Sequence, residues 1–184
     1  LMLMDAQTDA DFLAMFRSEG IPLEKLQLLP SSYQIGDLVS GKVTAFNSYL
    51  TNEPFYLQER GVEYNIISPV TYGIDFYSDI LFTSQAEIDE YPQRVEAFRR
   101  ATLRGWRYAM DNPEQIIDLL LNQYSVEKTR AHLQFEAQAM RPLVISDLIE
   151  IGHMNPGRWQ RMAETFLALG MDDNIAGLEN FIYD

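Results

Sequence analysis

None of the 184 residues is a cysteine. Disulfides, thiolate metal sites and cysteine nucleophiles are therefore excluded, whereas the cellular compartment is left open. No apolar run approaches the roughly 20 residues that span a bilayer. The opening Leu1-Met2-Leu3-Met4-Asp5 is too short for a signal peptide and lacks its basic region. It reads instead as the inside of a strand, so a segment upstream of it is expected. Positive charge is scarce: 14 Lys and Arg stand against 27 Asp and Glu, for a net charge of −13. Nucleic acid and anionic membrane surfaces call for basic patches, so neither is expected as a partner; the plain reading of the charge is solubility. Histidine occurs only at His132 and His153, without metal-ligand spacing, and both read as structural. There is no Gly-rich phosphate loop, nucleophile elbow or zinc motif, and neither a cofactor nor a catalytic centre is expected.

What is present is ample apolar material. At 47% hydrophobic residues the chain can bury a sizeable core. Its length suits one domain, or one lobe plus part of another. The pattern changes near residue 84. Before it, short apolar runs alternate with helical stretches: strands are expected at Leu1–Met4, Leu26–Leu29, Val43–Phe46, Tyr64–Ser68 and Ile80–Thr83. Helices are expected from Thr8 or Asp9 to Glu19, over Tyr33–Ser40, and from an opening at Thr51-Asn52-Glu53-Pro54 to a stop at Gly61. This alternation predicts an α/β lobe over residues 1–84 with a mostly parallel, three-layer arrangement. After it nearly everything reads as helix: Gln85–Tyr91, Arg94–Met110, Glu114–Tyr124, Glu127–Met140 ended by Pro142, and Pro156–Leu169 closed by Gly170. Val95, Phe98, Thr102, Leu103, Trp106 and Met110 form an inward stripe on the second of these, with Trp106 expected in the core.

Parallel sheets bind ligands outside the carboxyl ends of their strands. The loops at those ends are expected at Asp5–Asp9, Phe46–Glu53 and Pro69–Asp79. Gln7 and Thr8 precede a helix, where free N–H groups favour an anion or carbonyl, although ordinary capping accounts for them too. Asn47 and Tyr49 belong to the second loop, with Asn52, which caps a helix or reaches a ligand. Glu53 either complements the helix dipole or accepts hydrogen bonds from a ligand amino group. Tyr72, Phe76 and Tyr77 add aromatic faces that, with Tyr49, suit a slot for a flat ring. Asp75 and Asp79 share that loop, where turn hydrogen bonding is the plainer role. Cations in the first half are limited to Arg17, Lys25, Lys42 and Arg60. A sulfonate or phosphate site wants a planar cationic fork, so the scarcity favours a neutral or amine-bearing ligand.

Several segments resemble one family in order and spacing. Leu38-Val39-Ser40-Gly41-Lys42-Val43-Thr44-Ala45 resembles its L-x-S-G-K-V-D-A step. Asn52-Glu53-Pro54 resembles its x-E-P helix start, and Gly61-Val62-Glu63-Tyr64-Asn65-Ile66-Ile67 its G-V-x-x-N-V-I strand. Phe98 to Trp106 fits F-x-x-A-x-x-x-G-W, Asn112-Pro113-Glu114 fits N-P-E, and Pro156-Gly157-Arg158-Trp159 resembles D-P-x-R-W. On these segments the chain resembles the NMT1/THI5-like and aliphatic-sulfonate-binding group of periplasmic binding proteins. The resemblance implies a clamshell of type II that binds a small heteroaromatic or amine-bearing metabolite, outside the cytoplasm, for delivery to an ABC permease. It implies that residues 1–84 are lobe two and residues 85–184 a helical segment returning to an incomplete lobe one. In relatives that bind aminopyrimidines, the glutamate matching Glu53 accepts from the ligand's amino group. The pyrimidine-synthase branch carries a cysteine-rich motif, so that activity is disfavoured here. The stretch Ile149–Pro156 is similar in style to sensor-fused members, which makes a signalling domain of a histidine kinase or diguanylate cyclase the alternative partner. A helical face that packs on the first lobe in relatives would lie bare, so covering by a second copy, or rearranged helices, is expected.

Overall fold

Met2 and Leu3 are buried, as a short apolar run at the centre of a parallel ladder should be. The computed structural model describes residues 1–3, 8–124, 127–144, 148–174 and 177–183. In it Met2–Leu3 forms β1 and Leu29–Pro30 forms β2, paired in parallel with Met2 opposite Leu29. Met2 also makes a parallel bridge to Phe46: its N–H donates to the Ala45 carbonyl at 3.0 Å, and its own carbonyl accepts from Asn47 N–H at 3.1 Å. β1 is thus flanked by β2 on one side and by the Phe46 segment on the other, a 2-1-3 order.

The helices are α1 (Ala10–Ser18), α2 (Gly36–Val39), α3 (Glu53–Glu59), α4 (Gln85–Glu90), α5 (Pro92–Asp111), α6 (Pro113–Gln123), α7 (Arg130–Val144) and α8 (Pro156–Leu169). Pro92, Pro113 and Pro156 each stand at a first helical position, where the missing N–H costs nothing. Asn155 caps α8 by accepting from Arg158 N–H at 3.1 Å. Gly170 closes it at φ 71°, a left-handed conformation that glycine adopts without strain.

By contacts the chain separates into two units. One comprises Leu1–Tyr49, Tyr56–Tyr77 and Met154–Asp184, the other Leu50–Phe55 and Ser78–His153. In the first, α1 packs against α8 and the 3-10 turn Pro69–Tyr72, around a core of Leu13, Ala14, Met15, Val43 and Leu57. In the second, α4 packs on α5, α5 on α6 and α6 on α7, with Ile117 and Leu133 buried. No helix among the described residues is long and apolar enough to cross a membrane.

The chain is mostly helical with a small parallel sheet, and several sequence expectations are corrected. β2 lies at Leu29–Pro30 rather than Leu26–Leu29, and Val43–Phe46 contributes one bridge instead of a strand. Tyr64–Ser68 and Ile80–Thr83 form no ladder among the described residues. A strand exists only where its backbone groups find a partner, and alternation supplies only propensity. In these stretches Ile66, Ile67 and Leu81 stand exposed and Phe82 is 83% exposed. α7 runs two residues past Pro142, so the proline costs the helix one N–H bond near its end without terminating it there. Trp106 is 45% exposed and Phe98 62% exposed, so the α5 stripe is not core: α4 and α6 pack on that helix and leave both rings uncovered. Residues 4–7, with the candidate Gln7, and the expected cap Ser125 lie outside the described residues; Thr129 caps α7, its hydroxyl accepting from His132 N–H at 3.2 Å.

Candidate functional site

In the first unit the carboxyl end of β1 is the natural starting point. In open parallel sheets ligands bind outside the carboxyl ends of the strands, where the strand order reverses, and the 2-1-3 order reverses at β1. Asn47, directly after the bridge, donates through Nδ2 to the Asp9 carboxylate, tying the segment after the bridge to the start of α1. Asp9 is fully buried, and Thr8 beside it is exposed. Asp11 follows in the first turn of α1. Burial is the main cause that holds its carboxyl above the usual range, and the neighbouring Asp9 charge adds to it; Phe12 N–H, donating to it at 2.8 Å, pulls the other way. A raised carboxylate pKa means that the folded state favours the proton, so this group weakens the fold as pH rises through the carboxylate range. Asp11→Asn keeps an acceptor for Phe12 N–H and removes the charge. It is expected to stabilise the protein slightly at pH 7, by about 0.5 kcal/mol, with the gain vanishing at acid pH. Urea titrations at pH 7 and pH 3 measure both.

Tyr49 is exposed, and Tyr72 ends the 3-10 turn, exposed in part, with Gly73 at φ 81° turning the chain after it. Asp75 and Tyr77 are placed differently from the expectation. No strand precedes their loop; it is held by α8 instead. Arg158 Nη2 donates to Asp75 Oδ1 at 2.5 Å and to the Phe76 carbonyl at 2.7 Å, and Nε donates to the Asp75 carbonyl at 3.2 Å. Its guanidinium lies 3.9 Å from the centre of the Tyr77 ring. Tyr77 Oη accepts from Asn155 N–H at 2.8 Å, and its ring meets Trp159 at 5.0 Å. Phe76 stacks on Phe166, and Trp159 meets Phe181 edge-on. Arg158 was missed as a working residue. The motif Pro156–Trp159 contained it, but a partner 83 residues away in sequence leaves no local signal.

In the second unit Asn52 and Glu53 begin α3. Asn52 Nδ2 donates to Glu53 Oε1 at 2.7 Å, which fixes the orientation of both groups. Asn52 Oδ1 is buried and has no hydrogen-bond partner among the described residues. An orphaned buried acceptor costs free energy unless something donates to it. The turn is anchored by Phe55, whose ring stacks on the buried His132 at 4.4 Å with 10° between planes and meets Phe135 at 5.7 Å. Gln7 lies outside the described residues. No cluster of His, Asp and Glu among the described residues could hold a metal ion. A separate cleft of about 260 Å3 lies along α5 and α6, lined by Tyr108, Ile116 and Leu119 among others, and contains none of the candidate residues.

Comparison with known proteins adds three matches. The model of the family described as "NMT1/THI5 like" matches residues 2–116. A formylaminopyrimidine-binding protein of Halalkalibacterium halodurans is 28% identical over 110 residues, covering 58% of this chain and 33% of that protein. The riboflavin-binding protein RibY of Chloroflexus aurantiacus is 28% identical over 144 residues, covering 75% of this chain and 40% of that protein. The chain therefore spans less than half the length of these curated relatives.

Proposed function

We propose, from the premise that this chain belongs to the NMT1/THI5-like family, that it is a solute-binding module for a small, flat, nitrogen-bearing heteroaromatic metabolite. The observation that carries this reading is the acceptor pair at the start of α3. Asn52 presents a buried, unsatisfied carbonyl oxygen, and Glu53 a carboxylate oriented by the Asn52 amide. Both accept hydrogen bonds, so the complementary ligand edge is a donor, such as an exocyclic amine or ring N–H. The relatives named for a formylaminopyrimidine and for riboflavin support the same class. Thr8, Asn47, Tyr49 and Tyr72 are further candidates for ligand contact, with Asp75 and Tyr77 on the loop that Arg158 holds and Gln7 alongside them by sequence.

The wider reading follows the family. The module is part of a type II periplasmic-binding-protein clamshell, with residues 1–84 as lobe two and 85–184 as the returning helical segment. It acts outside the cytoplasm as a binder and not as an enzyme, and passes its ligand to an ABC permease. The exposed face of α5 is covered by the rest of a longer protein or by a second copy.

Glu53→Gln tests the assignment. The substitution preserves shape and removes the charge, and a hydrogen bond to a charged group is worth roughly 1.5–3 kcal/mol. Calorimetric titration with a formylaminopyrimidine is expected to show roughly tenfold to hundredfold weaker binding. An unchanged dissociation constant removes Glu53 from the site.

A further inference from the structure

Three chain segments leave the carboxyl edge of the sheet, after β1, after the Phe46 bridge and after β2. The third follows β2 and runs from Ser31 to Gln34. At its centre Tyr33 has φ 57°, the one non-glycine among the described residues with a left-handed backbone. The conformation is built in by neighbouring bonds. Ser31 N–H donates to the Leu3 carbonyl at 2.7 Å, which ties the loop to the end of β1. Ser31 Oγ accepts from Tyr33 N–H and Ser32 Oγ from Gln34 N–H, both at 3.2 Å. A side chain at such a φ is strained, whereas glycine would be at ease. Packing gives nothing in return, because the Tyr33 side chain is 76% exposed.

Strain retained under an exposed aromatic ring, at the edge of a parallel sheet where ligands bind, points from the outlier to a role in recognition. We propose that Tyr33 is a ligand-contacting, specificity-determining residue, its ring lying against the flat face of the heterocycle. Stacking asks for no particular hydrogen-bond pattern, so this residue selects for aromaticity and polar groups elsewhere select among rings. The proposal rests on the solute-binding reading given above.

The test uses the 184-residue chain with riboflavin as the probe, whose fluorescence reports stacking against an aromatic side chain. Three variants are compared with the unmodified protein. Tyr33→Phe keeps the ring and is expected to keep the affinity. Tyr33→Asn and Tyr33→Gly remove the ring and suit a left-handed backbone. Both are expected to bind roughly threefold to tenfold more weakly with an undiminished melting temperature. Equal affinity in all four proteins overturns the Tyr33 proposal and leaves the solute-binding reading standing. A fall in melting temperature for Tyr33→Asn and Tyr33→Gly parallel to the loss of affinity also overturns it, because the role is then structural. If the unmodified protein binds neither riboflavin nor a formylaminopyrimidine, the reading beneath it fails first.

Discussion

Arg158→Ala is expected to cost about 2–3 kcal/mol of stability and to weaken ligand binding at the same time. One guanidinium makes three hydrogen bonds to the Asp75–Phe76 segment and lies over the Tyr77 ring. Its side chain is 27% exposed, so the ion pair with Asp75 is partly screened and contributes less than its geometry suggests. The two bonds to backbone carbonyls are not ion pairs and are less affected by that screening. Arg158→Lys separates the effects. It keeps the charge but not the planar fork, and should recover less than half of the loss. Urea denaturation followed through Trp159 fluorescence gives the stability change, and calorimetry the affinity. An alanine variant with the midpoint and affinity of the unmodified protein would show that the loop supports itself.

Phe55→Ala is expected to have the largest effect on stability, about 3–4 kcal/mol. The ring is almost wholly buried, stacked on His132 and in contact with Phe135. Its removal leaves a cavity beside a buried imidazole, and α3 loses the contact that seats its first turn on α7. Because Asn52 and Glu53 belong to that turn, affinity should fall with stability even though Phe55 touches no ligand in this account. A double-mutant cycle with His132→Ala isolates the stacking contribution, expected at about 1 kcal/mol. A loss below about 1 kcal/mol for Phe55→Ala would mean that the stack is incidental.

How much of this was legible in the sequence depended on the range of the physics involved. α8 was read with both ends correct, because Pro156 and Gly170 act within one turn of where they stand. α5 begins at Pro92, two residues before the expected Arg94, since the proline that looked like a terminator of α4 serves as the first residue of the next helix. Pro142 misled in the opposite sense. The strands were over-read: Tyr64–Ser68 and Ile80–Thr83 have strand composition, but a ladder depends on a partner that composition does not reveal. Trp106 shows the same limit for helices, since an amphipathic stripe says that a face wants cover and not that cover is there. At the candidate site, the residue types were readable from their loops. The Asn52–Glu53 bond joins adjacent residues and could have been suspected. The Arg158 clamp and the strained Tyr33 depend on tertiary placement and could not.

The central claim is that the chain binds a flat nitrogen heterocycle through hydrogen-bond acceptors. The most direct measurement is calorimetric titration of the purified protein, in parallel, with a formylaminopyrimidine, with riboflavin and with a short alkanesulfonate. Saturable one-to-one binding of at least one heterocycle is expected, with no heat of binding from the sulfonate, since the Glu53 carboxylate repels an anion and the Asn52 amide already donates to it. Saturable binding of the sulfonate with none for either heterocycle would contradict it.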